Sequence, residues 1–106
     1  MYKFFVFAPR DEKVIRSIID AASAAGAGTI GKYKKCAWIA EGRGSWIADK
    51  DASPAYGKVG EIEYIDEVKI EMECPDKAIQ KVVDAVKKAH PYEEVVIDVF
   101  KMERFE

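Results

Sequence analysis

The sequence predicts an α+β, ferredoxin-like sandwich in the order β-α-β-β-α-β, with two helices covering one face of an antiparallel sheet. Three observations lead there. Segments 11–25 and 76–89 repeat apolar residues at the three-to-four spacing of an amphipathic helix. Segments 2–8, 33–41, 60–74 and 95–102 are either continuous in apolar β-formers or alternate with period two. The two halves repeat one order of elements, each helix lying between strands.

Residues 2–8 (Tyr-Lys-Phe-Phe-Val-Phe-Ala) are aromatic, β-branched and almost uninterrupted, which suits a central strand, and Pro9 ends it. From Asp11 the stripe Val14, Ile15, Ile18, Ile19, Ala22 and Ala25 defines the first helix. Asp11 and Glu12 complement its dipole, and Gly26 is the expected left-handed cap. The second strand is expected over 33–41, with Cys36, Trp38 and Ala40 on one face, stopped by Gly42-Arg43-Gly44. Segment 45–60 is rich in turn chemistry (Asp49-Lys50-Asp51, Ser53-Pro54, Gly57, Gly60) but also carries Trp46, Ile47 and Tyr56. In 60–74 the residues Ile62, Tyr64, Val68, Ile70, Met72 and Cys74 alternate with charges, which predicts a long strand with a solvated acidic face of Glu61, Glu63, Glu67, Glu71 and Glu73. Pro75-Asp76 suits the first turn of the second helix. Pro91 stops that helix and Val95, Ile97 and Val99 open the last strand.

With 106 residues, 49% of them hydrophobic, the chain suits a single domain over 1–106. Seventeen basic against 19 acidic residues, a net charge of -2, give no strong positive field, which argues against nucleic acid as a partner. No apolar run approaches the roughly 20 residues of a membrane span and no leader pattern follows Met1, so a cytoplasmic protein without membrane attachment is expected. Cys36 and Cys74 lie far apart without a paired motif and are expected as reduced thiols.

The densest chemistry is His90-Pro91-Tyr92-Glu93-Glu94, where the only histidine meets a phenol and two carboxylates at a helix-to-strand junction. His90 continues the buried stripe of Val83 and Val86, so packing competes with ligand binding. As a metal site, His90 with Glu93 or Glu94, joined by Cys36 if the second strand runs beside it, offers nitrogen, oxygen and sulfur to a divalent transition metal. One histidine cannot close a structural zinc site, so such binding would be weak or shared across an interface. Tyr92 either bonds across the junction or fills the gap after Pro91. Trp38, Trp46 and Tyr56 flank or occupy the long loop, either as a contact surface or as a satellite core. Gly26-Ala27-Gly28-Thr29-Ile30-Gly31 has the spacing of a pyrophosphate cradle but follows a helix and precedes a strand, so a glycine cap and tight turn are expected instead. No serine or cysteine sits in a nucleophile motif.

His90-Pro91-Tyr92-Glu93 resembles the signature of the CutA proteins, small trimeric relatives of the PII signalling fold. Gly26-Ala27-Gly28, Ile30-Gly31-Lys32-Tyr33, Cys36-Ala37-Trp38, Gly57-Lys58-Val59-Gly60 and His90-to-Glu94 together resemble the YqfO-type domain. That domain is inserted into a dinuclear-metal catalytic scaffold in larger proteins of the Ngg1p-interacting-factor-three-like family, and here it is expected to stand alone. The resemblance implies a PII/CutA-like fold, assembly as a homo-oligomer with a trimer favoured over a dimer, and a recognition loop at 42–60 that meets partners or effectors. It does not imply catalysis, because the scaffold's metal ligands have no counterpart in a chain with one histidine.

The function expected is a non-enzymatic, homo-oligomeric binding or regulatory module, its ligand site between subunits near His90, Tyr92, Glu93, Glu94, Trp38, Trp46 and Tyr56. The alternatives are a divalent-metal binding or tolerance protein of CutA type, with His90, Glu93 and Cys36 as ligands, and an accessory domain acting on a separate dinuclear-metal catalytic protein.

Overall fold

A computed structural model describes residues 1–105. Its elements are β1 (Tyr2–Pro9), α1 (Glu12–Ala24), β2 (Trp38–Ile47), β3 (Ile62–Cys74), a 3-10 turn (Asp76–Ala78) leading into α2 (Ile79–Ala89), and β4 (Ile97–Lys101). The β-α-β-β-α-β order is the one expected. The sheet runs β2-β3-β1-β4 with every neighbouring pair antiparallel, so β1 is central. No helix among the described residues is long and apolar enough to cross a membrane.

Pleating divides the sheet into two unlike faces. Phe4, Val6 and Ala8 of β1 pair with Met72, Ile70 and Val68 of β3, and all six are buried beneath Ile15, Ile18 and Ala22 of α1 and Val82 and Val86 of α2. None of the described helices covers the opposite face. There Phe5 stacks on Phe100 with centroids 5.4 Å apart and meets Phe7 edge-on at 6.3 Å, while the Lys69 ammonium lies 4.1 Å from the Phe5 centroid. Phe7 and Phe100 are about half exposed, and Trp38, opposite Glu71 on the same face, is more so.

Each helix is bounded by local chemistry. The Asp11 carboxylate caps α1 by accepting the amides of Lys13 and Val14 at 2.9 and 3.2 Å. At its other end Gly26 takes φ +121°, and the amides of Gly26 and Ala27 donate to the carbonyls of Ser23 and Ala22, a Schellman closure.

One strand is displaced from its expected position. β2 spans Trp38–Ile47 rather than 33–41, because Lys35 at φ +56° and an Ile30–Tyr33 bridge keep the preceding segment turned. Gly42, Arg43 and Gly44 do not interrupt β2 but pair with Glu67, Asp66 and Ile65. The expected 42–60 loop therefore begins only at residue 48. Its neck is closed by the Gly60 amide donating to the Ala48 carbonyl at 2.9 Å.

Candidate functional site

β1 and β4 pair only as far as Val6 and Ile97, so the next residue on β1, Phe7, has no partner on β4. His90, leaving α2 in extended conformation at φ -86°, ψ 138°, supplies a partner. Its Nε2 lies 2.7 Å from the Phe7 oxygen, and its Nδ1 is 3.1 Å from the amide nitrogen of Tyr92. A carbonyl only accepts and an amide only donates, so the ring is the neutral tautomer protonated at Nε2. Burial lowers the His90 pKa, opposed by the Phe7 bond and the Glu67 charge. Both ring nitrogens are committed to backbone.

That turn carries Tyr92 to the far side of the sheet, where its hydroxyl donates to Glu67 Oε2 at 2.5 Å. Glu67 belongs to the acidic row expected to be solvated, yet it is 9% exposed. Two residues make its burial feasible. Tyr92 satisfies one carboxylate oxygen, and Gly44 on β2 has no side chain where the carboxylate lies, since a Cβ there would overlap it. Burial, then the Glu67 hydrogen bond and charge, push the Tyr92 phenol well above its ordinary value, so it stays a donor. Glu73 of the same row is also not free and pairs with Arg104.

The loop after β2 folds back over this cluster. Its Ser53 amide donates to both carboxylate oxygens of Glu93 at 3.0 Å, and Tyr56 meets Tyr92 with centroids 5.9 Å apart at 78°. Trp46 meets Tyr92 from the β2 side at 5.7 Å and 61°. Between loop, hairpin and junction lies an open cavity of about 470 Å³, lined by these rings with Ile47, Asp49, Pro54, Glu93, Glu94 and Val96 among others.

Five residues predicted from sequence, Trp46, Tyr56, Tyr92, Glu93 and Glu94, thus come together. His90 stands behind the wall as a positioning residue and does not line the cavity. Trp38 lies elsewhere, 70% exposed on the open face. Cys36 precedes β2, its amide bonded to the Gly28 carbonyl near Glu73, at the opposite end of the sheet from His90. Among the described residues no group of three or more His, Cys, Asp and Glu is placed to hold a metal ion. Glu67, Asp49 and Gly44 read from sequence as a solvated strand face, a turn and a strand breaker, not as parts of a site. The available signal was the pair of glycines in β2, which marks bare backbone where a neighbour approaches.

No family model matches the sequence. Curated proteins named "GTP cyclohydrolase 1 type 2 homolog" do. The Bacillus subtilis protein is 40% identical over 103 residues, covering 96% of this chain and 27% of the relative. The Mycobacterium tuberculosis protein is 38% identical over 100 residues, covering 94% and 26%. The chain therefore spans about a quarter of the length of these relatives. Among solved structures, a Bacillus cereus protein related to NIF3 superposes with a TM-score of 0.80 at 34% identity, over 97% of this chain and 26% of that one. CutA from Pyrococcus horikoshii gives 0.65 at 18% identity over 100% and 88%, and the PII-like CutA from Nostoc gives 0.62 at 17% over 97% and 82%. The YqfO-type resemblance is borne out in sequence, and the PII/CutA-like fold in structure.

Proposed function

We propose that this YqfO-type, PII/CutA-like chain is a non-catalytic, self-associating binding module, in which the cavity under the 48–60 loop holds a small ligand and the open sheet face is where copies meet. The observation that carries the reading is Tyr92. Its ring is a wall of the cavity, and its hydroxyl holds the buried Glu67 that also lines a groove on the open face with Phe7, Gly42 and Gly44. Movement of that one side chain on ligand entry is felt on the surface available to another copy. The contiguous Phe5, Phe7 and Phe100 patch supports association, and the likeness to CutA favours three copies over two.

Several features support a non-catalytic and metal-free reading. The single imidazole is held by backbone on both nitrogens, and the cavity lining contains neither serine nor cysteine. Cys36 and Glu93 lie at separate sites.

Native mass spectrometry of protein taken directly from cells tests both halves. A trimer carrying a small retained mass is expected. Phe100→Glu should yield monomer, and Trp46→Leu should release the retained mass while leaving the trimer. A wild-type monomer at micromolar concentration removes the association.

A second reading, an accessory module serving the dinuclear-metal scaffold of its longer relatives, is favoured by the match to a segment of those proteins over nearly the whole of this chain. Co-elution with that scaffold, dependent on the 48–60 loop, is its test.

A further inference from the structure

The cavity's lining carries a charge pattern that selects its occupant. Resting on the reading of this cavity as the ligand site, we infer that it takes a small organic cation with an apolar body, of the substituted or quaternary ammonium class, and turns away nucleotides and other anions.

Trp46 and Tyr56 each meet Tyr92 at a steep angle, 61° and 78°, with centroids under 6 Å from its own, so the rings form a corner and not a slot for a flat ring. Faces of aromatic rings present negative quadrupole potential, and such corners suit alkylammonium groups. Asp49, Glu93 and Glu94 add three carboxylates to the lining, and none of the twelve lining residues is Lys, Arg or His. The nearby lysines in sequence, Lys50 and Lys58, are not among them. No cation within the lining offsets the carboxylates: among the described residues Glu93 accepts the neutral Ser53 amide, and Asp49 accepts the backbone amide of Lys50. A phosphate entering here would meet three like charges and no guanidinium, ammonium or helix N-terminus to receive it. An ammonium would meet ring faces and carboxylates together, while Ile47, Pro54 and Val96 accept its carbon skeleton. The cavity volume of about 470 Å³ lies within the range of small-molecule sites.

Choline and its uncharged isostere 3,3-dimethylbutan-1-ol, with GTP as the anionic probe, separate charge from shape. Each is titrated into the full chain while the indole N–H signals of Trp46, in the cavity, and Trp38, outside it, are followed by NMR. Choline should move Trp46 and not Trp38 and should bind roughly tenfold more tightly than the alcohol. Glu94→Gln should weaken choline about threefold to fivefold and leave the alcohol unchanged. Equal binding of alcohol and choline, or a Trp46 shift with GTP, would overturn the cation class and leave the cavity standing as a site. Silence of Trp46 towards all three probes also overturns it. The cavity reading itself falls only if Trp46→Leu keeps the retained mass in the native spectrum.

Discussion

The chain leaves α1 at Gly26 and α2 at His90, and at both places it must turn back to the sheet. At the first exit the backbone does everything. Gly26 and Gly28 take φ values of +121° and +80°, their amides close onto Ser23 and Glu73, and no polar side chain takes part. At the second, Pro91 removes an amide and bars the helix, and side chains complete the turn, with the imidazole of His90 bonding strand and turn and the phenol of Tyr92 bonding Glu67. The contrast teaches why only one of two topologically equivalent junctions became a wall of a cavity. A glycine exit yields geometry and nothing else, whereas an exit closed by side chains leaves the ring of Tyr92 among the residues that line the space beyond.

The largest expected effect comes from removing the imidazole. His90→Ala leaves the Phe7 carbonyl and the Tyr92 amide unpaired at a buried site and opens a cavity, for a cost of about 3 kcal/mol in urea unfolding. Gly26→Ala forces a side chain into a positive φ with its Cβ 3.0 Å from that of Ala78, for about 1–2 kcal/mol. Stability alone does not distinguish the two exits, but the Trp46 indole signal does. It should move in His90→Ala and stay in place in Gly26→Ala. Movement in both would break the comparison.

Next in size is the link from Tyr92 to Glu67. Tyr92→Phe strands a buried carboxylate oxygen and should cost about 1–3 kcal/mol. Gly44→Ala displaces the same carboxylate from the other side and should cost a similar amount. Because both break one bond, the double variant should lose little more than either single, and simple addition would show that Glu67 keeps another partner.

Element order, the central position of β1 and both helical stripes were legible because periodicity is a local property of the chain. The environment of Glu67 was not. It is made by Gly44 on a neighbouring strand and by Tyr92, 25 residues away, so its spacing read as a solvated row. The same missing partner misplaced the end of β2, whose glycines read as breakers when the carboxylate above Gly44 requires one of them. Trp38 and Trp46 share a strand and a face, opposite Glu71 and Glu63, and only the return of the 48–60 loop, invisible in their spacing, makes one a cavity wall and leaves the other bare. His90 was found, but its partners are backbone atoms that no side-chain pattern announces.

A smaller effect is the dependence on pH. The folded pKa of His90 is depressed by burial, so its neutral form is the one that folding favours. Its contribution is fully present above the unfolded value near 6.5 and is lost as pH falls through the folded one, with a slope of at most about 1.4 kcal/mol per pH unit. His90→Gln should lack that slope. Gly26→Ala should keep it, which separates the exits again by a solution measurement.

The smallest expected change sharpens the contrast between bare backbone that is required and bare backbone that is not. Gly42 and Gly44 sit two residues apart on the same face of β2 in the same groove, yet a Cβ at Gly42 meets nothing within 4 Å. Gly42→Ala therefore relieves only the entropic cost of glycine in a strand and should raise monomer stability by about 0.5 kcal/mol. If that groove is where copies meet, the added methyl must show itself as weaker association in a concentration series, while unfolding of the dissociated chain moves the other way. A gain in stability with association untouched would place the contact between copies away from Gly42, and would leave the Phe5, Phe7 and Phe100 patch as the surface to probe.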